Sequence, residues 1–348
     1  MTDRKKVSLG RAGAVFFLLF VLIIAAVFYR LIPVLEQSTN VSGADEPFDL
    51  SGALVPVDEI VDAGFGRDGL KAMDLPAVQS REEIDALAEK RRGKYLVGGD
   101  RVIGVLVAGA ARAYPIDVLN WHEIVNDTLG GRPIAVTYSP LTDAVGVYDR
   151  NVGAETLVFG VSGKVHDSNL MMFDRRDRVP DESLWSQLQG KALAGTMAGT
   201  ELATIPAAYT TWGDWVRWNP QTTVIERDPA LYDMYKKRPY GTYYGSQRLR
   251  FPAQPLPPPE GIPLKSSIVA VPSGAGAVVL PVDEIARAAG PDGKWEREID
   301  GRSYRFEYEG RPPRVTVRDA GTDRLANVRY ALWFAWHAQY PGDSLFTF

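Results

Sequence analysis

The sequence predicts an α+β protein built largely on antiparallel sheet, with short helices and an internal repeat, preceded by one transmembrane helix. Three observations carry this. Short apolar, β-branched runs recur between turn residues, the signature of strands. The stretch at residues 102–119 lies without a gap against residues 268–285. Residues 12–29, AGAVFFLLFVLIIAAVFY, contain no charged side chain.

The anchor comes first. With residues 31–35 the apolar run approaches the roughly 20 residues that span a bilayer, so a membrane helix is expected over residues 12–35. Arg4, Lys5, Lys6 and Arg11 precede it and only Arg30 stands at its far end. Basic residues stay on the cytoplasmic side, which places residues 1–11 in the cytoplasm and exports the rest. The expected location is the inner (cytoplasmic) membrane, single-pass, with the C-terminal domain periplasmic. The alternative is a cleaved signal peptide, whose apolar segment runs about 7 to 15 residues and ends at small residues. Here Val27, Phe28, Tyr29 and Arg30 follow the run instead. Gly10, Gly13 and Ala14 near the cytoplasmic face, and Ala25 and Ala26 nearer the other, are small enough to let a neighbouring helix approach closely.

Residues 36–51, EQSTNVSGADEPFDLS, are polar, acidic and turn-rich, and predict a tether over residues 36–55. A main exported domain over residues 56–250 is expected next. FPAQPLPPPEGIP at residues 251–263 is too rich in proline for a helix or an interior strand, and reads as an extended crossing to a repeat-like subdomain at residues 264–348.

The repeat sets VIGVLVAGAARAYPIDVL against IVAVPSGAGAVVLPVDEI, matching Pro115 to Pro281 and Asp117 to Asp283. Each reads as strand, small-residue turn, strand, then a Pro-x-Asp helix start. GGRPIAVTY at residues 130–138 is echoed by DGRSYRFEY at residues 300–308. Further strands are expected at residues 156–160, 170–174 and 223–226, and helices at residues 82–90 and 330–339.

Composition narrows the function. A chain of 348 residues is long enough for an ample core, and a net charge of -4 gives no electrostatic footprint for nucleic acid. The absence of Cys removes disulfides, thiolate nucleophiles and Cys-ligated metals together.

The residues that bear on chemistry cluster around TYSPLTDAV at residues 137–145, a strand running into a tight turn that Pro140 presets and Asp143 closes. Tyr138 precedes the turn, and Ser139 and Thr142 place two hydroxyls where paired thiolates or metal ligands often stand. NWHEIVND at residues 120–127 contributes Trp121, His122 and Glu123, and GVSGKVHDSNLMMFDRR at residues 160–176 contributes His166 and Asn169. If the strands are neighbours, His122, Glu123, Ser139, Thr142, His166 and Asn169 converge at one sheet edge. Each also has a plain reading: His122 as a hydrogen-bonded residue at a helix start, His166 as a turn residue, Glu123 as a carboxylate at a helix N-terminus. Hydroxyls are poor soft ligands, and no Gly-x-Ser-x-Gly elbow surrounds Ser139. Hence no catalytic residue, metal or cofactor is expected, and His122, His166, Ser139 and Thr142 are at most vestigial ligands.

TTWGDWVRWNP at residues 210–220 spaces Trp212, Trp215 and Trp218 three apart on a short helix capped by Thr210 or Thr211. That stripe is either core packing or a contact surface. Tyr240, Tyr243 and Tyr244, in DPALYDMYKKRPYGTYYGS at residues 228–246, carry the same two readings.

The stretches RAYPIDVLNWHEIVNDTLGGRPIAVTYSPL, FGVSGKVHDSNLMMFDRR, SLWSQLQGKALAGTMAGTEL, TTWGDW and RDPALYDMYKKRPYGTYY resemble a bacterial family, domain of unknown function 3179. The resemblance covers most of residues 95–248 and continues more weakly beyond. It implies an exported domain of undefined activity, with Cys-Pro-Leu-Cys-Gly where this chain has Ser139, Pro140, Leu141, Thr142 and Asp143. The chain is therefore expected to be a degenerate member that kept the turn and lost both thiols. The function expected is that of a non-catalytic, membrane-anchored accessory or scaffold subunit of a larger membrane complex. An energy-transducing assembly such as a photosynthetic reaction centre or respiratory complex is the kind of partner envisaged. The alternative is a periplasmic metal-handling or redox-related enzyme with altered ligands.

Overall fold

The computed structural model describes residues 48–90, 95–274, 276–310, 313–343 and 345–346. The anchor at residues 12–35, its small residues Gly10, Gly13, Ala14, Ala25 and Ala26, and most of the tether lie outside the described residues. Among those described, no helix is long and apolar enough to cross a membrane.

Three short strands, β1 (Ile60–Asp62), β2 (Met73–Asp74) and β3 (Val78–Ser80), lead into α1 (Arg81–Lys90). Ser80 and Glu83 cap this helix reciprocally: Ser80 N–H donates to the Glu83 carboxylate (2.7 Å) and Glu83 N–H to Ser80 Oγ (3.2 Å). Next, β4 (Arg101–Val107) and β5 (Ala110–Pro115) form a hairpin. Pro115, with φ -66°, then starts α2 (Ile116–His122). A meander follows: β6 (Ile124–Leu129), β7 (Arg132–Ser139) and β8 (Ala144–Asp149). Gly130 and Gly131 both have positive φ, as a two-residue hairpin turn requires.

The chain then makes β9 (Asn151–Val152), β10 (Glu155–Thr156), β11 (Phe159–His166), β12 (Asn169–Asp174), β13 (Ser183–Ser186) and β14 (Lys191–Gly195). The last four join β1 in an antiparallel five-stranded sheet. It returns as β15 (Ala207–Thr211) on β4 and turns into α3 (Trp212–Trp218), where Thr211 is the cap and accepts from Asp214 N–H. The small β16 (Thr223–Ile225), α4 (Tyr232–Tyr235) and α5 (Gly241–Tyr244) complete the first part.

Beyond the prolines the same succession recurs. The hairpin β17 (Ser267–Ser273) and β18 (Gly276–Pro281) leads through Pro281, with φ -63°, into α6 (Val282–Ala288). The meander β19 (Lys294–Ile299), β20 (Arg302–Gly310) and β21 (Pro313–Asp319) follows, then β22 (Arg329–Leu332) and α7 (Trp333–Gln339). β22 pairs with β17 as β15 pairs with β4, and each is followed by a seven-residue helix beginning with Trp. The residues between β8 and β15 interrupt the first copy. Tyr330–Leu332, expected to be helical, belongs to β22 because it completes the ladder against β17.

The two copies interlock. β22 also pairs with β8, so one seven-stranded sheet runs β18-β17-β22-β8-β7-β6-β2, while β21 lies alongside β15. Strands from both sides of residues 251–263 thus share one sheet, and Tyr114, Leu119, Val136 and Tyr138 share a core with Val269, Leu280, Ile285 and Phe306. Pro47–Phe348 accordingly forms one compact unit. On the other face of β4, α3 approaches so closely that a Cβ at Gly104 would lie 2.2 Å from the Trp215 ring. Trp212 and Trp215 are buried there, and Trp215 Nε1 donates to Thr222 Oγ1 (2.8 Å). Two rings of the predicted stripe therefore pack in the core. Trp218 is partly exposed, with the Arg318 guanidinium 4.8 Å from its ring.

Candidate functional site

The turn between β7 and β8 closes when Thr142 N–H donates to the Ser139 carbonyl (3.2 Å). Ser139 Oγ accepts from Leu170 N–H (3.1 Å) at the start of β12, and Thr142 Oγ1 accepts from Asn169 Nδ2 (2.9 Å). Asn169 also donates to Gln187 Oε1 (2.9 Å) and accepts from Leu188 N–H (3.0 Å), while Gln187 Nε2 donates to Thr137 Oγ1 (2.9 Å). Ser139 is 2% exposed and Thr142 0%, so these bonds form in a dry interior. Losing Ser139 Oγ would strand the buried Leu170 N–H, a defect that costs about 1 to 3 kcal/mol. In this chain the two hydroxyls brace the β7–β8 turn against β12.

Of the residues expected to converge, Ser139, Thr142 and Asn169 do so through side chains. His166 is in register with Asn169 across the β11–β12 hairpin, but its ring lies between Asp167 (3.4 Å) and Glu59 (3.5 Å), and neither ring nitrogen makes a hydrogen bond among the described residues. His122 ends α2 rather than starting it. Its ring bridges the Lys71 carbonyl and the Tyr235 hydroxyl, both at 2.7 Å, and burial lowers its pKa, keeping the imidazole neutral. Trp121 packs against the core that holds Leu119 and Tyr235, with its indole N–H buried and without a hydrogen-bond partner among the described residues. Among the described residues no group of three His, Asp or Glu side chains is placed to hold a metal ion.

Glu123 is also at the wrong end for a helix N-terminal carboxylate. It follows α2 as the C-cap residue, with φ +57°, a left-handed conformation unfavourable for a side chain. Its backbone holds that strain in place: its N–H donates to Leu119 O and its carbonyl accepts from Tyr138 N–H, both at 2.8 Å. The carboxyl is buried, Oε2 has no partner among the described residues, and burial pushes its pKa up to about 8. Glu123 is thus a neutral acid at pH 7.

The residue at the end of the turn gathers the most. Asp143 Oδ1 accepts from the Tyr138 and Tyr209 hydroxyls, both at 2.6 Å, and lies 3.2 Å from Arg101 Nη1. Arg101 also donates to Tyr209 Oη (2.6 Å), and the Arg314 guanidinium lies 4.6 Å from the Tyr209 ring. Burial alone would raise the Asp143 pKa; Arg101, Arg314 and the two tyrosines outweigh it and hold the carboxylate below its ordinary range. Over the turn, Tyr243 donates to Leu141 O (2.9 Å) and Tyr244 to Pro140 O, with the Tyr244 and Tyr138 hydroxyls 3.1 Å apart. Tyr243 and Tyr244 therefore clamp the turn from within. Arg101, Tyr209 and Arg314 escaped sequence reasoning because each lies at least 42 residues from Asp143 in the chain.

Above this network opens a cleft of about 890 Å³. Asp143, Arg101, Tyr244 and Arg314 line it, together with Tyr235, Lys236, Lys237, Arg238, Tyr240 and Lys265. Ser139, Thr142, His122 and His166 are not among its lining residues.

A mainly β domain of two interlocked copies, with a braced turn under a basic, tyrosine-lined cleft, is the class that fold and site define. The chain belongs to the family described as Protein of unknown function (DUF3179), which matches residues 67–319 and so takes in the first copy and the second as far as β21. No curated protein and no solved structure matches it.

Proposed function

We propose that this chain is a non-catalytic accessory subunit, held in the cytoplasmic membrane by residues 12–35, whose exported domain acts by binding within a larger membrane complex. The observation that supports it best is the closure of the turn: the hydroxyls of Ser139 and Thr142 are buried, bonded internally and away from the cleft. Hydroxyls so placed offer neither a nucleophile nor soft ligands, while His122 has both ring nitrogens engaged. An energy-transducing membrane assembly suits a single-pass anchor with one large domain. The test is isolation from native membranes in mild detergent. Specific docking predicts that partner subunits co-purify, and that deleting residues 1–35 or exchanging them for an unrelated membrane helix both weaken recovery. A protein that migrates alone at every concentration overturns the proposal.

One observation favours the enzymatic alternative. Glu123 is a strained, buried acid with its pKa pushed up to about 8, and once ionised it acts on Tyr240, which lines the cleft. Such a group suits proton transfer, and an activity lost in Glu123→Gln would establish that reading.

A further inference from the structure

We infer that the cleft is a binding site for a small polyanion, a molecule carrying two or more carboxylate or phosphate groups; this rests on the binding reading of the domain. The cleft is lined by seven Lys and Arg side chains against three Asp, in a chain whose net charge is -4. Positive charge is therefore concentrated in one concavity, where low-dielectric walls focus the field toward an anion.

Three of these cations are answered from within the protein. Arg101 meets Asp143, Arg227 meets Asp117, and Lys236 meets Asp233. Lys265 and Arg314 are not: among the described residues neither forms an ion pair. Lys265 Nζ donates to the Tyr243 (2.7 Å) and Arg248 (2.8 Å) carbonyls and lies 3.3 Å from the centre of the Tyr243 ring. Its burial lowers its pKa, so holding the charge there without a counter-ion has a cost. Arg314, stacked on Tyr209, has a buried Nε with no hydrogen-bond partner among the described residues. Asp143 is engaged by two tyrosines and Arg101 and reaches Arg314 only through its field, so both cations remain open to direct contact with a ligand. Arg314 offers a planar fork for one acidic group and Lys265 a point charge for a second. The volume is that of a site for a small organic molecule, typically about 300 to 1,000 Å³. Lys236, Lys237 and Arg238 are exposed on its wall and add attraction at the approach.

The experiment is calorimetric titration of the full chain in mild detergent with pyrophosphate and, separately, citrate. Binding is expected with at least one probe, weakening as salt is raised. Arg314→Gln and Lys265→Gln should each weaken it about tenfold or more, whereas Lys294→Gln, exposed on β19 and outside the cleft, should not. Should Lys265→Gln unfold, Arg314→Gln alone decides, because among the described residues that side chain hydrogen-bonds its neighbour's carbonyl and otherwise stacks on Tyr209. No heat from either probe at millimolar concentration, or equal binding by wild type and Arg314→Gln, overturns the inference. The accessory-subunit reading is judged separately, by recovery of the membrane complex.

Discussion

Replacing Asp143 with alanine is expected to destabilise the domain by about 3 to 5 kcal/mol, the range for breaking a buried ion pair from one side. The variant leaves the half-buried Arg101 guanidinium without its counter-charge and removes the acceptor of the buried Tyr138 and Tyr209 hydroxyls. The backbone refines the expectation. Asp143 has φ +46°, so Asp143→Gly should cost about 1 kcal/mol less than Asp143→Ala, since glycine adopts that conformation without steric penalty. Because its folded pKa is depressed, the stability from Asp143 is present above the unfolded value of about 4 and fades as pH falls through the lower folded value. Urea unfolding of the full chain in detergent measures all three. A loss below about 1 kcal/mol for Asp143→Ala would reduce the network to an ordinary surface contact.

Glu123→Gln should act in the opposite direction, stabilising the protein by about 3 kcal/mol at pH 7. The folded pKa of about 8 lies above the unfolded value of 4.5, so between them the folded state holds a proton the unfolded state has released. Stability therefore falls as pH rises from about 4.5 to about 8 and levels off above. Glutamine keeps the shape, carries no charge in either state and removes that slope. The gain should vanish near pH 4.5 and grow with pH. A difference between wild type and Glu123→Gln that is the same at pH 5 and pH 8 would mean that the carboxyl is solvated or paired.

What could be read from the sequence was local. Pro115 and Pro281 start helices as their Pro-x-Asp contexts indicate, Thr211 caps the tryptophan helix, and the 139–142 turn closes as Pro140 suggests. Each feature depends on residues within a few positions of one another. Glu123 was misread because α2 is only seven residues long and β6 begins at Ile124, so a carboxylate that seemed to open a helix in fact follows one. The exchange that pairs β22 with β8 has no local signature, because Tyr330 and Val145 are far apart in the chain. Asp143 looked like a turn residue, which it is. Its hold on Arg101 and Tyr209 depends on β4 and β15 being paired beneath the turn, and that is a property of the assembled sheet. The tyrosines at 243 and 244 have a composition suited to a contact surface, and only folding shows their hydroxyls turned inward on Leu141 and Pro140.

The Ser139–Thr142 turn is expected to serve structure in this chain and to offer no soft-metal chemistry. Metal analysis of the full chain, purified from native membranes and dialysed against zinc and copper, tests it most directly. The account predicts well under one ion per chain, because hydroxyls bonded to Leu170 and Asn169 and a His122 ring held by Lys71 and Tyr235 leave no convergent donor set. One tightly held ion per chain, lost in His122→Ala or His166→Ala, would contradict it.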